Sequence, residues 1–170
     1  MNQLEVVVRQ ATLADADAMG AMWLRAALTG YEGIFPAEAP KPTADGLTER
    51  WRRTIADDRT GAAVLVACLP GADATVVGSV AVAPDREDPT RAILRRLYVD
   101  PDHWAQGVGR RLHDAALDRL RRSGQDTVQL WVLEANTRAR SMYERWGWRP
   151  TDARQAAYPG VDEILYLREL

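Results

Sequence analysis

The stretch Leu97-Tyr98-Val99-Asp100-Pro101-Asp102-His103-Trp104-Ala105-Gln106-Gly107-Val108-Gly109-Arg110-Arg111-Leu112 sets a strand end, a glycine-bearing loop and a helix start in direct succession. Gly107 and Gly109 have no Cβ to obstruct a ligand, so backbone N–H groups can turn inward there. The helix that follows adds unpaired first-turn N–H groups and the positive end of its dipole. Such a corner is either a pyrophosphate cradle or a plain strand-to-helix turn. Two other phosphate loops fit poorly. A nucleotide-triphosphatase loop needs Gly-Lys-Ser/Thr, and here Gly109 is followed by Arg110 and Arg111. A dinucleotide fingerprint belongs in a first strand-helix turn, and this loop lies past the middle of the chain.

Downstream, Val108, Leu112, Ala115, Ala116 and Leu120 make one apolar helix face, and Gly124 ends that helix. Val128 to Leu133 is apolar except at Gln129, as expected of a strand covered on both faces. With the Arg91 to Val99 strand that feeds the loop, this predicts a right-handed parallel strand-helix-strand unit. Ala139, Met142, Tyr143 and Trp146 then share a helical face, which turns the Tyr143 hydroxyl inward, and Gly147 is the cap.

Two motifs in this region resemble those of the GCN5-related N-acetyltransferase (GNAT) family. Trp104-Ala105-Gln106-Gly107-Val108-Gly109, after Val99-Asp100-Pro101, is similar to the coenzyme A pyrophosphate loop Gln/Arg-x-x-Gly-x-Gly/Ala, with Trp104 departing at the first position. Asn136, Ala139, Tyr143, Glu144 and Gly147 match the pattern Asn-x-x-Ala-x-x-x-Tyr-Glu-x-x-Gly-Phe, with Trp148 in place of Phe. The resemblance is specific from Leu97 to Trp148 and holds elsewhere in element order.

The resemblance implies an α/β (α+β) fold: a mixed, mostly antiparallel central sheet whose parallel fourth and fifth strands splay apart, flanked by about four helices. It implies acetyl-CoA as co-substrate, no metal, and direct transfer of an acetyl group to a primary amine of a small molecule or a protein N-terminus. The pantetheine arm is then expected to bond to the backbone of Leu97, Tyr98 and Val99, and the pyrophosphate to the N–H groups of Ala105, Gln106, Gly107, Val108, Gly109 and Arg110. Asn136 is expected to hold the arm or its neighbouring backbone. A backbone N–H near Val99 would stabilise negative charge on the carbonyl oxygen, and Tyr143 would protonate the departing thiolate. Arg111 is either a phosphate contact or a solvated helix charge.

The chain departs from the pattern at the general base. Some relatives carry a glutamate late in the fourth or fifth strand, where this chain has Ile93 and Trp131. Glu87, Asp88 and Glu134 are nearby carboxylates, and a water chain could remove the proton instead. The missing base leaves an acyl-CoA-binding or sensing module as the alternative. A homodimer is also open, since family members often pair through their last strands.

The remainder of the chain bounds this reading. Its 170 residues suit a single domain, 1–170. Net charge is -2, from 22 basic and 24 acidic residues, so no global field favours nucleic acid or an anionic membrane. All basic residues but Lys41 are arginine. Cys68 lies in the apolar run Ala62 to Leu69, where a buried thiol is the default, and one cysteine makes no intrachain disulfide. With no secretory leader pattern and no apolar run of spanning length, a soluble cytoplasmic protein is expected.

Leu4 to Gln10 is expected as the first strand, and Thr12 with Asp15 as a helix cap. The first helix places Ala18, Met22, Leu24 and Ala26 on its apolar side, with Gly30 as a left-handed stop. Tyr31 to Pro42 is a loop whose Tyr31 and Phe35 either plug the core or wall an acceptor pocket. Thr43 caps a second helix to about Asp57, with Leu47, Trp51 and Ile55 in register. Ala62 to Leu69 and Thr75 to Ala83 form a hairpin around Pro70-Gly71-Ala72-Asp73, and Gly78 marks a bulge or a close approach. Asp152 to Asp162 is expected as a variable acceptor segment and Ile164 to Leu167 as the last strand. His103 and His113 lack ligand spacing and are expected at the surface.

Overall fold

The computed structural model describes residues 4–57, 59–71, 74–88 and 90–170. Seven strands form one sheet: β1 (Val7–Gln10), β2 (Ala63–Cys68), β3 (Val76–Pro84), β4 (Arg91–Val99), β5 (Thr127–Leu133), β6 (Arg149–Tyr158) and β7 (Val161–Glu169). Their order is β1-β2-β3-β4-β5-β7-β6, and only β4 and β5 run parallel. Four helices flank it: α1 (Ala16–Gly30), α2 (Ala44–Ile55), α3 (Val108–Arg122) and α4 (Thr137–Arg145). This is the mixed, mostly antiparallel α/β architecture that the resemblance implies.

The strands alternate between two cores. Leu94, Val128, Leu130, Val132, Ile164 and Tyr166 face one cluster, which α3 fills with Val108, Leu112, Ala116 and Leu120 and α4 with Tyr143. Val64, Val66 and Ala81 face the other, against Met19, Trp23, Leu47 and Trp51 of α1 and α2. Thr43 caps α2 by accepting from the Gly46 N–H, worth about 1 kcal/mol. Thr12 and Asp15 form a capping box, and the Arg9 guanidinium at 2.7 Å holds the Asp15 carboxyl well below the usual range. Gly78 of β3 lies where α3 crosses the sheet: a Cβ there would come within 2.7 Å of Leu112 Cδ1 and 3.1 Å of Val108 Cγ1. The close approach expected at Gly78 is therefore present.

Four expectations are corrected. The buried side of α1 is Met19, Met22, Trp23 and Ala26, whereas Ala18 is exposed and Leu24 half-buried, because two-residue steps fall off a helical face. Gly30 stays helical, and the left-handed residue is Gly33 (φ 73). Residues 152–158 belong to β6, a solvent-exposed edge strand held by β7, and β7 itself starts at Val161. His113 is fully buried, on the inner side of α3. The Ala72 and Asp73 positions of the hairpin turn lie outside the described residues.

β4 and β5 pair only from Arg91 with Thr127 to Ile93 with Gln129, and then part. β5 continues along β7 to Leu133 opposite Glu163, while β4 stays on β3. Between Ser79 and Ala81 of β3, β4 spends an extra residue, and Arg96 takes φ 55. This bulge bends the end of β4, and a cleft opens between the two parallel strands.

Candidate active site

The cleft has a volume of about 880 Å³ and passes between the ends of β4 and β5. One wall is Leu97, Tyr98 and Val99; the floor of one mouth is Ala105, Gly107, Val108, Gly109 and Arg110; the opposite wall includes Asn136 and Tyr143. Gln106 alone among the expected site residues does not line it. Its side chain donates to the Asp102 carbonyl at 3.0 Å, and its own carbonyl accepts from the Leu4 N–H.

The loop is shaped by its backbone. Ala105 (φ 59) and Gly107 (φ 87) are both left-handed, and Gly107 is the residue from which α3 starts. Gly109 lies in the first turn, where a Cβ would meet Val99 Cγ2 at 3.5 Å and Trp146 at 3.7 Å, ordinary contact distances. Trp104, the departure from the loop pattern, bonds its Nε1–H to the Val99 carbonyl at 2.7 Å and ties the loop to the strand end. The Arg138 guanidinium of α4 lies 3.4 Å above the Trp104 ring centroid, so the stack joins the two walls. Asp100 is buried, paired with Arg25 of α1, and accepts from the Asp102 N–H at 3.2 Å.

Arg110 pairs with Asp114 at 2.7 Å and places its guanidinium 5.7 Å from the Trp146 ring. Arg111 instead reaches back to the Val6 carbonyl at 3.3 Å, a contact to the chain itself. Asn136 is the N-cap of α4: its Oδ1 accepts from the Ala139 N–H at 3.1 Å. It thus holds neighbouring backbone and still lines the cleft.

Tyr143 is 7% exposed, and the helix periodicity that aims it inward also puts it against Trp146 and Trp148. Burial, with the neighbouring Tyr98 second, raises its pKa far above the ordinary value, so the hydroxyl keeps its proton at neutral pH. α4 is fixed by Tyr166, whose hydroxyl donates to Glu144 at 2.8 Å and accepts from Arg140 at 3.1 Å. α3 is tied to the segment after α4 by His113: its Nε2 accepts from Trp148 Nε1–H at 2.9 Å, and its Nδ1 lies 2.9 Å from Asp114. Burial pushes His113 down to about 4, so it is neutral with its proton on Nδ1.

The second mouth opens on the α1–α2 face. Tyr31, from the loop after α1, meets Tyr98 hydroxyl to hydroxyl at 3.0 Å, and Phe35 packs between Tyr31 and Tyr158. Tyr31 takes both roles open to this loop: it lines the cleft and packs against the α1–α2 core. Ile93 and Trp131 also line it, and neither is a base. Glu134 is exposed and 3.5 Å from Arg154, and Asp88 bonds Thr90 in the turn before β4. Neither they nor Glu87 line the cleft. The carboxylate that does is Glu163 of β7, bonded by Gln155 Nε2 of β6 at 2.9 Å. Sequence reasoning missed it, although alternation with the inward Ile164 and Tyr166 puts Glu163 on the other face.

This geometry fits coenzyme A. A left-handed loop leads into a helix N-terminus at one end, two diverging strands offer unpaired backbone along the middle, and a protonated hydroxyl lines the cleft. Among the described residues no cluster of His, Cys, Asp or Glu could hold a metal ion, and no helix is long and apolar enough to cross a membrane.

A mycothiol acetyltransferase from Beutenbergia cavernae is 50% identical over 54 residues, 32% of this chain and 18% of that protein. The ribosomal protein bS18 alanine N-acetyltransferase of Escherichia coli K12 is 37% identical over 71 residues, 42% of this chain and 48% of that protein. The chain thus spans less than half the length of the curated relatives it matches. Among solved structures, a PaiA N-acetyltransferase from Thermoplasma acidophilum in complex with coenzyme A superposes with a TM-score of 0.80 at 18% identity, over 98% of this chain and 100% of the other. A GCN5-related N-acetyltransferase from Kribbella flavida gives 0.74 at 25% identity, over 97% and 98%. A family model described as the acetyltransferase (GNAT) family matches residues 26–148, the span that holds the splayed strands, the cradle and Tyr143. The chain belongs to the GNAT acetyltransferase family.

Proposed function

We propose that this protein is an acetyl-CoA-dependent N-acetyltransferase, 1–170 forming one catalytic unit, that moves an acetyl group directly to a primary amine of a small molecule or a protein N-terminus. The observation that carries the reading is the continuous cleft from the Ala105–Arg110 loop to the Tyr143 hydroxyl. Acetyl-CoA supplies the acyl group, already activated as a thioester. The chain's residues bind, orient and move protons around it. N–H groups of the loop and of the first turn of α3 hold the pyrophosphate, and the backbone of Leu97 to Val99 holds the arm as an added strand would be held. Tyr143, protonated by virtue of its burial, gives its proton to the departing sulfur. Glu163, opening on the other mouth, takes the amine proton directly or through one water. The lone cysteine, Cys68, is free and buried, which suits the reducing cytoplasm.

The test has two readings. Acetyl-CoA should raise the melting temperature, since a ligand that binds only the folded chain stabilises it. Coenzyme A release should then follow when a panel of amines is added. Stabilisation without release under every amine would favour an acyl-CoA-binding module, and no stabilisation at all would remove the reading.

A further inference from the structure

The mouth of the cleft on the α1–α2 face is electrically two-sided. On β4, Arg95 and Arg96 both line it, and neither forms an ion pair among the described residues. Arg96 is half-buried: the left-handed bulge turns its guanidinium to within 5.7 Å of the ring centroids of Trp23 and Trp51, and it donates to the Thr54 hydroxyl. Arg50, one turn before Thr54 on α2, adds to the positive field that Arg96 feels and is likewise without an ion pair among the described residues. Half-burying a cation with only aromatic faces and one hydroxyl for partners costs desolvation, and an incoming anion would recover it.

Across the cleft stands Glu163, with Gln155 on its Oε2. Tyr98 lines the same cleft as Arg96 and Glu163, and burial raises its pKa. Tyr31, bonded to Tyr98, lines it too, and burial raises its pKa as well.

We propose that the acceptor is an amine that itself carries an anionic group, a carboxylate or a phosphate, with the anion held by Arg95 and Arg96 and the amine by Glu163. The inference rests on the N-acetyltransferase reading and names its acceptor class. A simple alkyl amine would leave the arginines unpaired, and an anion without an amine would leave Glu163 unused.

The test is coenzyme A release from the full chain with matched acceptors that differ only in the anion. The pairs are ω-amino carboxylates of increasing length against their amides, and phosphoethanolamine against ethanolamine. The charged partner of at least one pair should show kcat/KM about ten- to hundred-fold higher, the worth of one charge-assisted hydrogen bond pair. That preference should shrink as salt is raised. Which pair responds separates a carboxylate from a phosphate. Arg96→Gln and Arg95→Gln should lower the rate with the charged partner more than with the neutral one, so that the ratio collapses. Arg95 is exposed, so its variant keeps the test intact if the loss of Arg96 from between the tryptophans unfolds the chain. Equal or faster turnover of the neutral partner in every pair, or a preference that survives in both variants, overturns the inference and leaves the acetyltransferase reading standing. Failure of every amine to release coenzyme A, while acetyl-CoA still binds, overturns both.

Discussion

The two mouths of the cleft are built on different principles. The mouth on the α3 side is made of backbone: a left-handed Ala105, a left-handed Gly107 and the first turn of α3, all within one short stretch. The mouth on the α1–α2 side is made of side chains from four separated places, Tyr31 after α1, Arg96 and Tyr98 on β4, Gln155 on β6 and Glu163 on β7. A ligand held by backbone is specified by a loop and tolerates a Trp104 in a position that other family members fill with Gln or Arg. A ligand held by side chains is specified by how distant elements are brought together. The first kind of mouth suits a common cofactor and the second a particular acceptor.

The largest effect expected lies where the two mouths meet. Tyr143→Phe keeps the ring and its packing on Trp146 and Trp148 and removes only the hydroxyl. Turnover at saturating substrate should fall by about 10²- to 10⁴-fold while the acetyl-CoA dissociation constant stays within a few-fold, as measured by single-turnover kinetics and titration. Near-normal turnover would mean that the hydroxyl only packs.

On the cofactor side, Gly109 makes a cleaner probe than Gly107. Valine at the left-handed Gly107 strains the fold whether or not a ligand is present, whereas Gly109 is helical and its Cβ would find ordinary contacts. Gly109→Val should weaken acetyl-CoA binding about ten- to hundred-fold, the cost of one or two lost bonds to a charged group, with a smaller change in the melting point without ligand. If the ligand-free protein loses stability in step with binding, this mouth is structural and the contrast collapses.

A pH-dependent effect concerns what holds the walls in register. His113, depressed to about 4 from 6.5, accepts from Trp148 only while neutral. The unfolded chain therefore takes up a proton between those values that the folded chain refuses, so stability is full above about pH 6.5 and declines as pH falls towards 4. Urea unfolding at a series of pH values should show that slope in the native chain and lose it in His113→Gln. A native chain with a flat profile across the window would remove His113 from the account.

Much of the fold and the lining of one mouth of the cleft were legible in the sequence, for local reasons. The strand-loop-helix corner, the four-residue spacing of Leu47, Trp51 and Ile55, and the inward face of α4 all follow from near neighbours in the chain. β6 was not legible. Its Arg149-Pro150-Thr151-Asp152-Ala153-Arg154-Gln155 opening has no apolar alternation, because an edge strand exposed on both faces needs none and is held only by its bonds to β7. His113 was misread because a histidine on a helix buries only if a partner waits for it, and that partner, Trp148, is 35 residues away.

What the sequence by itself determined is the mouth on the α3 side: left-handed residues and a helix start are properties of consecutive φ and ψ angles, and the inward aim of Tyr143 is a property of helical period. What only the tertiary structure decided is the mouth on the α1–α2 side. β7 inserts between β5 and β6, against chain order, and so carries Glu163 to the cleft, where Gln155 of the edge strand β6 bonds it. One extra residue in β4 turns Arg96 between two tryptophans. Neither event leaves a local mark, because each depends on which strand becomes the neighbour of which, and that choice is made by burying both faces of the sheet at once.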